Sequence, residues 1–382
     1  MQVLGGGRLT GKVGSFDVGL LSIQTGEEES LGAVSTNFTL LRLKRDLLGQ
    51  SNVGVIFENR SESLAAPGES NQAWGIDGAF VLNDEMNAVT YYTRSHTPGR
   101  EGNDQSYRAR FNYDADLMGG SVDYLVVGDD FNPEMGFVRR LGFRHSSLGA
   151  RFSPRPASIS WIRRMNFHAD IGYFENDLDR YVESRDRGGR IELDLENGDG
   201  FSLNANDYYE FLSGSEQISG ALFEAGRYAY TDYEIGYQFG PQRPWQGDLS
   251  VRWGEFYSGE RLSVGIGSGR VEVSPQLSVE PSLEFNWLDL PQQTEPGEFD
   301  QHVARTRVTY TMTPRAYVSG LVQYSTGSET LSGNFRLRWE WAPGSELFIV
   351  YTEDRNTDML GDRWSELSTR GLVVKVTRLF RP

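Results

Sequence analysis

From Leu331 to Thr352 the chain reads LSGNFRLRWEWAPGSELFIVYT. Phe335, Leu337, Trp339 and Trp341 take every second position, and Asn334, Arg336, Arg338 and Glu340 fill the gaps. Successive side chains of a strand point to opposite faces, so the segment predicts a strand with one aromatic face and one charged face. Two environments suit such a strand. In a soluble sheet the apolar face covers a core; in an outer-membrane barrel it meets lipid while the charged face lines a wet lumen.

The alternation recurs along the chain. Ile159, Trp161, Met165, Phe167, Ala169, Ile171 and Tyr173 share one parity, as do Phe201, Leu203, Ala205, Tyr209 and Phe211. So do Tyr233, Ile235, Tyr237 and Phe239, and Leu277, Val279, Leu283, Phe285 and Trp287. A period of two fits these runs better than a helical period. Turn signals such as NDEMN, SPRPAS, ENGDG, GPQRPW, SPQ, TPR and APGS alternate with polar links such as ENRSESLAAPGESNQ, GDDFNPEMGFVRR, ENDLDRYVESRDRGG and LSGSEQISGALFEAG. Short turns on one rim and long loops on the other is the barrel layout.

The breaks predict an all-β fold over residues 1–382 as one domain. The expected form is a single closed antiparallel transmembrane β-barrel of about 20 strands (roughly 18–22, an even number), with short periplasmic turns and long extracellular loops. Residues 8–24 read either as a tight hairpin or as one continuous strand. A sandwich rarely needs so many amphipathic strands, since open sheets seldom pass ~10 strands without splitting or closing. No blade-length repeat suggests a propeller.

Composition narrows the choice. The mean hydropathy of -0.48 looks soluble, but alternate polar positions and long loops give a membrane barrel the same value. No apolar run is long enough for a transmembrane helix. Trp, Tyr and Phe number 8, 18 and 21, which suits interfacial aromatic girdles. Cysteine is absent, which removes disulfides, thiolate metal sites and thiol nucleophiles. The formal charge of -16 excludes nucleic-acid binding through a basic face. The start, MQVLGGGRLTGK, carries neither a basic n-region nor an apolar h-region. A mature or trimmed form is expected, and a first strand left outside it would raise the count.

The last stretch, STRGLVVKVTRLFRP, is similar to the C-terminal assembly signal of outer-membrane barrels. More of the chain carries a second likeness. GGRLTGKVG, VGDDFNPEMGFVRR, RWGEFYSGERLSVGI, HVARTRVTY, LVQYSTGSETLSGNFRLRWEWAPGSELFIVYTEDRNTD and LVVKVTRLFR resemble, in that order, a bacterial outer-membrane barrel family of unknown function. Members usually carry the barrel behind a module similar to family-nine carbohydrate-binding domains, which has no counterpart here. The resemblance implies integral residence in the Gram-negative outer membrane, contact with lipid and lipopolysaccharide, and a polar solute or glycan as possible cargo. It implies no activity.

Catalytic material is sparse. The four histidines, His96, His145, His168 and His302, fall in loops or on polar parities, and His145 and Ser146 point to opposite faces of a strand. Acidic pairs such as Asp129 with Glu134, or Glu280 with Glu284, arise readily in so acidic a chain, so solvated charge outweighs glycosidase chemistry. No metal or cofactor is expected, and TEDRNTDMLGD lacks EF-hand spacing. The better candidates are ladders on the polar parity: Arg108, Arg110, Arg305, Arg307, Arg336 and Arg338, with Asp170, Asp232, Glu234, Asp248, Glu280, Glu284 and Glu340. They either select the solutes that pass or neutralise one another across strands. The link GDDFNPEMGFVRR is unusual for its Phe131 and Phe137 among Asp129, Asp130, Glu134, Arg139 and Arg140. It reads as a loop folded into the lumen, with packing on a neighbouring loop as the alternative.

Overall fold

The structure is a computed structural model describing residues 2–28, 32–47, 49–291, 298–358 and 365–380. Every regular element among the described residues is a β-strand. The first nine are β1 (Val3–Val13), β2 (Phe16–Thr25), β3 (Asn37–Leu47), β4 (Ser51–Arg60), β5 (Asn71–Asn83), β6 (Met86–His96), β7 (Gln105–Asp114), β8 (Met118–Val127) and β9 (Phe143–Phe152). Next come β10 (Ile162–Asn176), β11 (Val182–Leu195), β12 (Gly200–Leu212), β13 (Glu216–Ile218) and β14 (Ala221–Phe223). The remainder are β15 (Gly226–Phe239), β16 (Trp245–Phe256), β17 (Gly259–Ser274), β18 (Leu277–Asp289), β19 (Glu298–Thr313), β20 (Ala316–Ser325), β21 (Thr330–Ala342), β22 (Ser345–Asn356) and β23 (Glu366–Thr377).

Twenty-one of these strands belong to one sheet, and β13 and β14 form a separate hairpin. Twenty-one lies inside the expected range but is odd, because the N-terminal stretch resolves into the hairpin β1–β2. The chain divides into two compact units. One holds 1–153, 168–187 and 209–211; the other holds 154–167, 188–208 and 212–382. In the first, β1 to β9 pair in sequence as an antiparallel meander; in the second, β15 to β23 do the same.

Register keeps each parity on one face. Phe57 faces Trp74 and Val55 faces Ile76 across β4 and β5, while Phe335 faces Tyr351 and Leu337 faces Ile349 across β21 and β22. A slip of one residue would send these side chains to the other face. The apolar face is left bare: Trp74 is 45% exposed, Ile76 55%, Phe335 46% and Trp339 50%. Buried apolar residues instead collect in two small clusters near strand ends, around Phe131 in the first unit and Phe223 in the second.

The contrast between rims holds, with exceptions. Strands β16 and β17 are joined by Tyr257 and Ser258 alone, and Tyr257 takes a left-handed φ of 53° to make the reversal. The link read at 175–189 shortens to 177–181, because β11 begins at Val182. On the opposite rim, 153–161 is the longest connection. Much of LDLPQQTEPGEFDQ and TEDRNTDMLGD lies outside the described residues.

Candidate functional site

The polar face of the first unit is built from cross-strand ion pairs. On β4 the even positions carry Gly54, Ile56, Glu58 and Arg60, and β5 sets Asp77 opposite Gly54. Arg42 of β3 crosses over Gly54 to hold Asp77 bidentately, with Nη2 to Oδ1 at 2.8 Å. A Cβ at position 54 would stand 2.7 Å from that Nη2, so glycine is what lets the guanidinium pass. Arg108 grips Asp123 in the same way, Nε to Oδ1 at 2.8 Å. Arg110 bonds Asn112 at 3.3 Å and stands near enough to Asp123 to interact with it. Asp170 and His168 line a concavity of about 410 Å³ with Asn112 and Arg151.

Residues 128–142 run along this polar face near the strand ends. Phe131 is buried against Val127 and Phe143, beside Leu125, Val138 and Phe174, and Leu125, Val127 and Phe143 share the parity of Asp123. From Asp130 onward the segment passes the β6–β7 link, β6 and β5. Asp130 N–H donates to Asn103 O (3.1 Å), Asn132 N–H to Ser95 Oγ (2.8 Å) and Glu134 N–H to Asn71 Oδ1 (3.1 Å). Glu134 ends the crossing: its carboxylate accepts from Ser63 Oγ at 2.8 Å and from Leu64 N–H at 2.8 and 3.0 Å, with Arg60 Nε at 3.5 Å. Arg140 pairs with Glu183 and lies over the Phe143 and Phe174 rings. Asp129 buries one carboxylate oxygen without a partner among the described residues. Phe137 and Arg139 are exposed.

The second unit repeats the scheme. Arg252 holds Glu234 (Nε to Oε2, 2.7 Å), and Arg261 holds the buried Asp232 (2.9 Å). Glu234, Arg252 and Arg261 line a basin of about 300 Å³ with Asp248, Glu284, Asn286 and serines 250, 263 and 282. Glu280 lies between Arg270 at 3.5 Å and Arg307 at 3.8 Å. Arg338 pairs with Glu346 at 2.8 Å, and Glu340 accepts the Gly344 N–H of the turn. Arg336 bonds only Asn334, and Arg305 has no ion pair among the described residues. Neutralisation thus accounts for Arg108, Arg307 and Arg338, places Arg110 in the field of Asp123, and leaves Arg305 and Arg336 without a carboxylate partner among the described residues.

A segment folds over this polar face too. The hairpin β13–β14 buries Ala221 and Phe223 against Leu212, Phe256 and Leu288, and Phe256 and Leu288 share the parity of Arg252 and Glu284. Gln301 of β19 donates to Ser219 O at its tip, 2.6 Å. Nothing in LSGSEQISGALFEAG beyond its apolar Ile218, Leu222 and Phe223 signals this, and the sequence reading placed it among the wet links. Glu58, Arg42 and Asp77 were also missed, although their parity was legible.

Two further features lie off the polar face. In the turn before β12, Asp199 accepts from Arg243 Nη2 (2.9 Å), Tyr237 Oη (2.7 Å) and Gly240 N–H (2.8 Å). The guanidinium bonds first, then the phenol and the amide, hold its carboxyl far below the usual range. An apolar groove of about 430 Å³ between Phe16, Leu43, Val55 and Ile76 opens on the bare face.

A face of exposed aromatic and aliphatic side chains this extended requires hydrocarbon, and a continuous ladder satisfies the backbone there. The chain is an integral protein of the Gram-negative outer membrane, of the β-barrel class. No protein-family profile and no curated protein matches it. Among solved structures it is similar to the ferric-catecholate import receptor Fiu of E. coli K12: 8% identity, TM-score 0.41, 97% of this chain and 71% of that one. It is also similar to a mutant of the ferric enterobactin receptor PfeA of Pseudomonas aeruginosa: 9% identity, TM-score 0.39, 89% and 75%. The unliganded ferric citrate transporter FecA follows, at 8% identity, TM-score 0.38, 96% and 66%.

Proposed function

We propose that the sheet closes into one barrel over residues 1–382 and that its polar face lines a gated pore for a polar solute. The observation that carries this reading is the division of faces: apolar side chains bare on one, ion pairs and two folded-over segments on the other. A closed sheet of 21 strands is wider than the 16–18-stranded barrels that leave an aqueous channel. Residues 128–142 and the hairpin β13–β14 narrow such a lumen. Arg305 and Arg336 supply its uncompensated positive charge.

The basin lined by Ser250, Ser263, Ser282, Asn286, Glu234 and Glu284 supports a hydroxylated solute, a saccharide or short glycan, because it offers donors and acceptors on small side chains. The run of shared motifs supports membership of the outer-membrane family that usually carries a carbohydrate-binding module. The test is ion conductance of refolded protein in planar bilayers, with deletion of 216–223 raising it and an added oligosaccharide blocking it. A second reading, a non-conducting barrel that docks a partner, draws on the same two segments. Absence of conductance in both the full chain and the deletion variant would favour it.

A further inference from the structure

Between residues 128–142 and the polar face of β4 to β7, within the first unit, lies a cavity of about 330 Å³. Glu58, Tyr91 and Thr93 form its wall, Phe131 and Pro133 its roof, and Phe137 stands at its rim. The volume is in the range of small-molecule sites, and the mixture of apolar lining with few polar groups is typical of them.

Its one uncompensated charge is Glu58. This half-buried carboxylate has no hydrogen bond or ion pair among the described residues. The guanidinium groups that share its face are engaged elsewhere: Arg42 with Asp77, and Arg60 with Glu134 and the Glu62 carbonyl. Tyr91, whose Oη meets Ser106 Oγ at 3.2 Å, lines the same cavity. Phe137 stands 88% exposed at the rim, an aromatic ring with no packing role to explain it. A carboxylate partly withdrawn from water without a partner carries part of the cost of a buried charge, and a cation supplies what the wall lacks.

We propose that this cavity binds a small organic ammonium ion. Its charged head sits at Glu58 against the faces of Tyr91 and Phe137, and its apolar tail lies under Phe131 and Pro133. The aromatic rings attract the cation through their negative faces, and an ammonium hydrogen bond neutralises the carboxylate. A neutral polyol leaves the Glu58 charge uncompensated, which separates this site from the saccharide basin of the second unit. Because the roof belongs to 128–142, occupancy holds that segment against the polar face. The inference goes beyond the pore reading and needs no transport to be tested.

The experiment is isothermal titration of the full chain, refolded in a non-ionic detergent, with n-butylammonium, n-butanol and glucose. Butylammonium binds at least about tenfold more tightly than butanol, the minimum expected of one charge-assisted bond. Glu58→Gln removes that difference, and Phe137→Ala lowers butylammonium affinity about threefold without touching the wall. Should Glu58→Gln fail to refold, Phe137→Ala and the butanol comparison still decide. Equal affinity for butylammonium and butanol, preference for glucose, or unchanged binding in Phe137→Ala would overturn the proposal. Loss of conductance with binding intact would count against the pore alone.

Discussion

Replacing Phe131 by alanine removes the apolar anchor of residues 128–142. The side chain keeps only 7% of its accessible surface, packed among Val127, Phe143, Leu125 and Val138. Truncation of a buried Phe costs about 3–5 kcal/mol, and the lower figure applies because this cluster is small and lies near the strand ends. About 3 kcal/mol corresponds to roughly a hundredfold in the docking equilibrium of the segment. The sheet has its own ladder and does not depend on the anchor, so the loss is local. Hydrogen exchange measures it directly. The amides of Asp130, Asn132 and Glu134, bonded to Asn103, Ser95 and Asn71, lose about two orders of magnitude of protection, while amides in the middle of β6 and β7 do not change. Unaltered exchange at those three amides would refute the reasoning, since it would mean that polar contacts alone hold the segment down.

The other anchor is expected to behave more mildly. Glu134→Gln keeps an acceptor but loses charge-assisted bonds to Ser63 and Leu64, and its docking weakens by about 2 kcal/mol in the same exchange experiment. Substituting Arg336 and Arg305 by Gln shifts the reversal potential of a bilayer recording towards cations, because neither has a carboxylate partner among the described residues; no shift would remove them from the solute path. Leu337→Arg on the apolar face destabilises by about 2–4 kcal/mol, and Trp341→Arg, next to the turn, by about 0–1 kcal/mol, in denaturant titrations of vesicle-inserted protein. A neutral Leu337→Arg would place that face away from lipid. Asp199 has a folded pKa below its unfolded value, so the stability it contributes is complete above about pH 4 and drains away as pH falls towards the folded value. Asp199→Asn should therefore flatten the acid limb of the melting-temperature profile below about pH 4, and an unchanged limb would show that other carboxylates control it.

Which face each side chain takes was legible from the chain itself. Alternation is a local property of extended backbone, so Phe335, Trp339 and Trp341 announce their side against Arg336 and Arg338 without knowledge of any partner strand. The same reasoning placed Arg108 and Arg305 on the polar side. Partnership was not legible, because it depends on register and on residues distant in the chain. Arg42 finds Asp77 35 positions away, across a glycine that no local pattern marks. Glu134 finds Ser63 71 positions away, and Gln301 reaches Ser219 across 82. Only the folded sheet therefore decided which arginines are neutralised, which long links lie over the polar face, and that Glu58 is left alone in a cavity. Side-chain direction follows from the backbone of a single strand; charge pairing and enclosure arise when several strands are brought side by side.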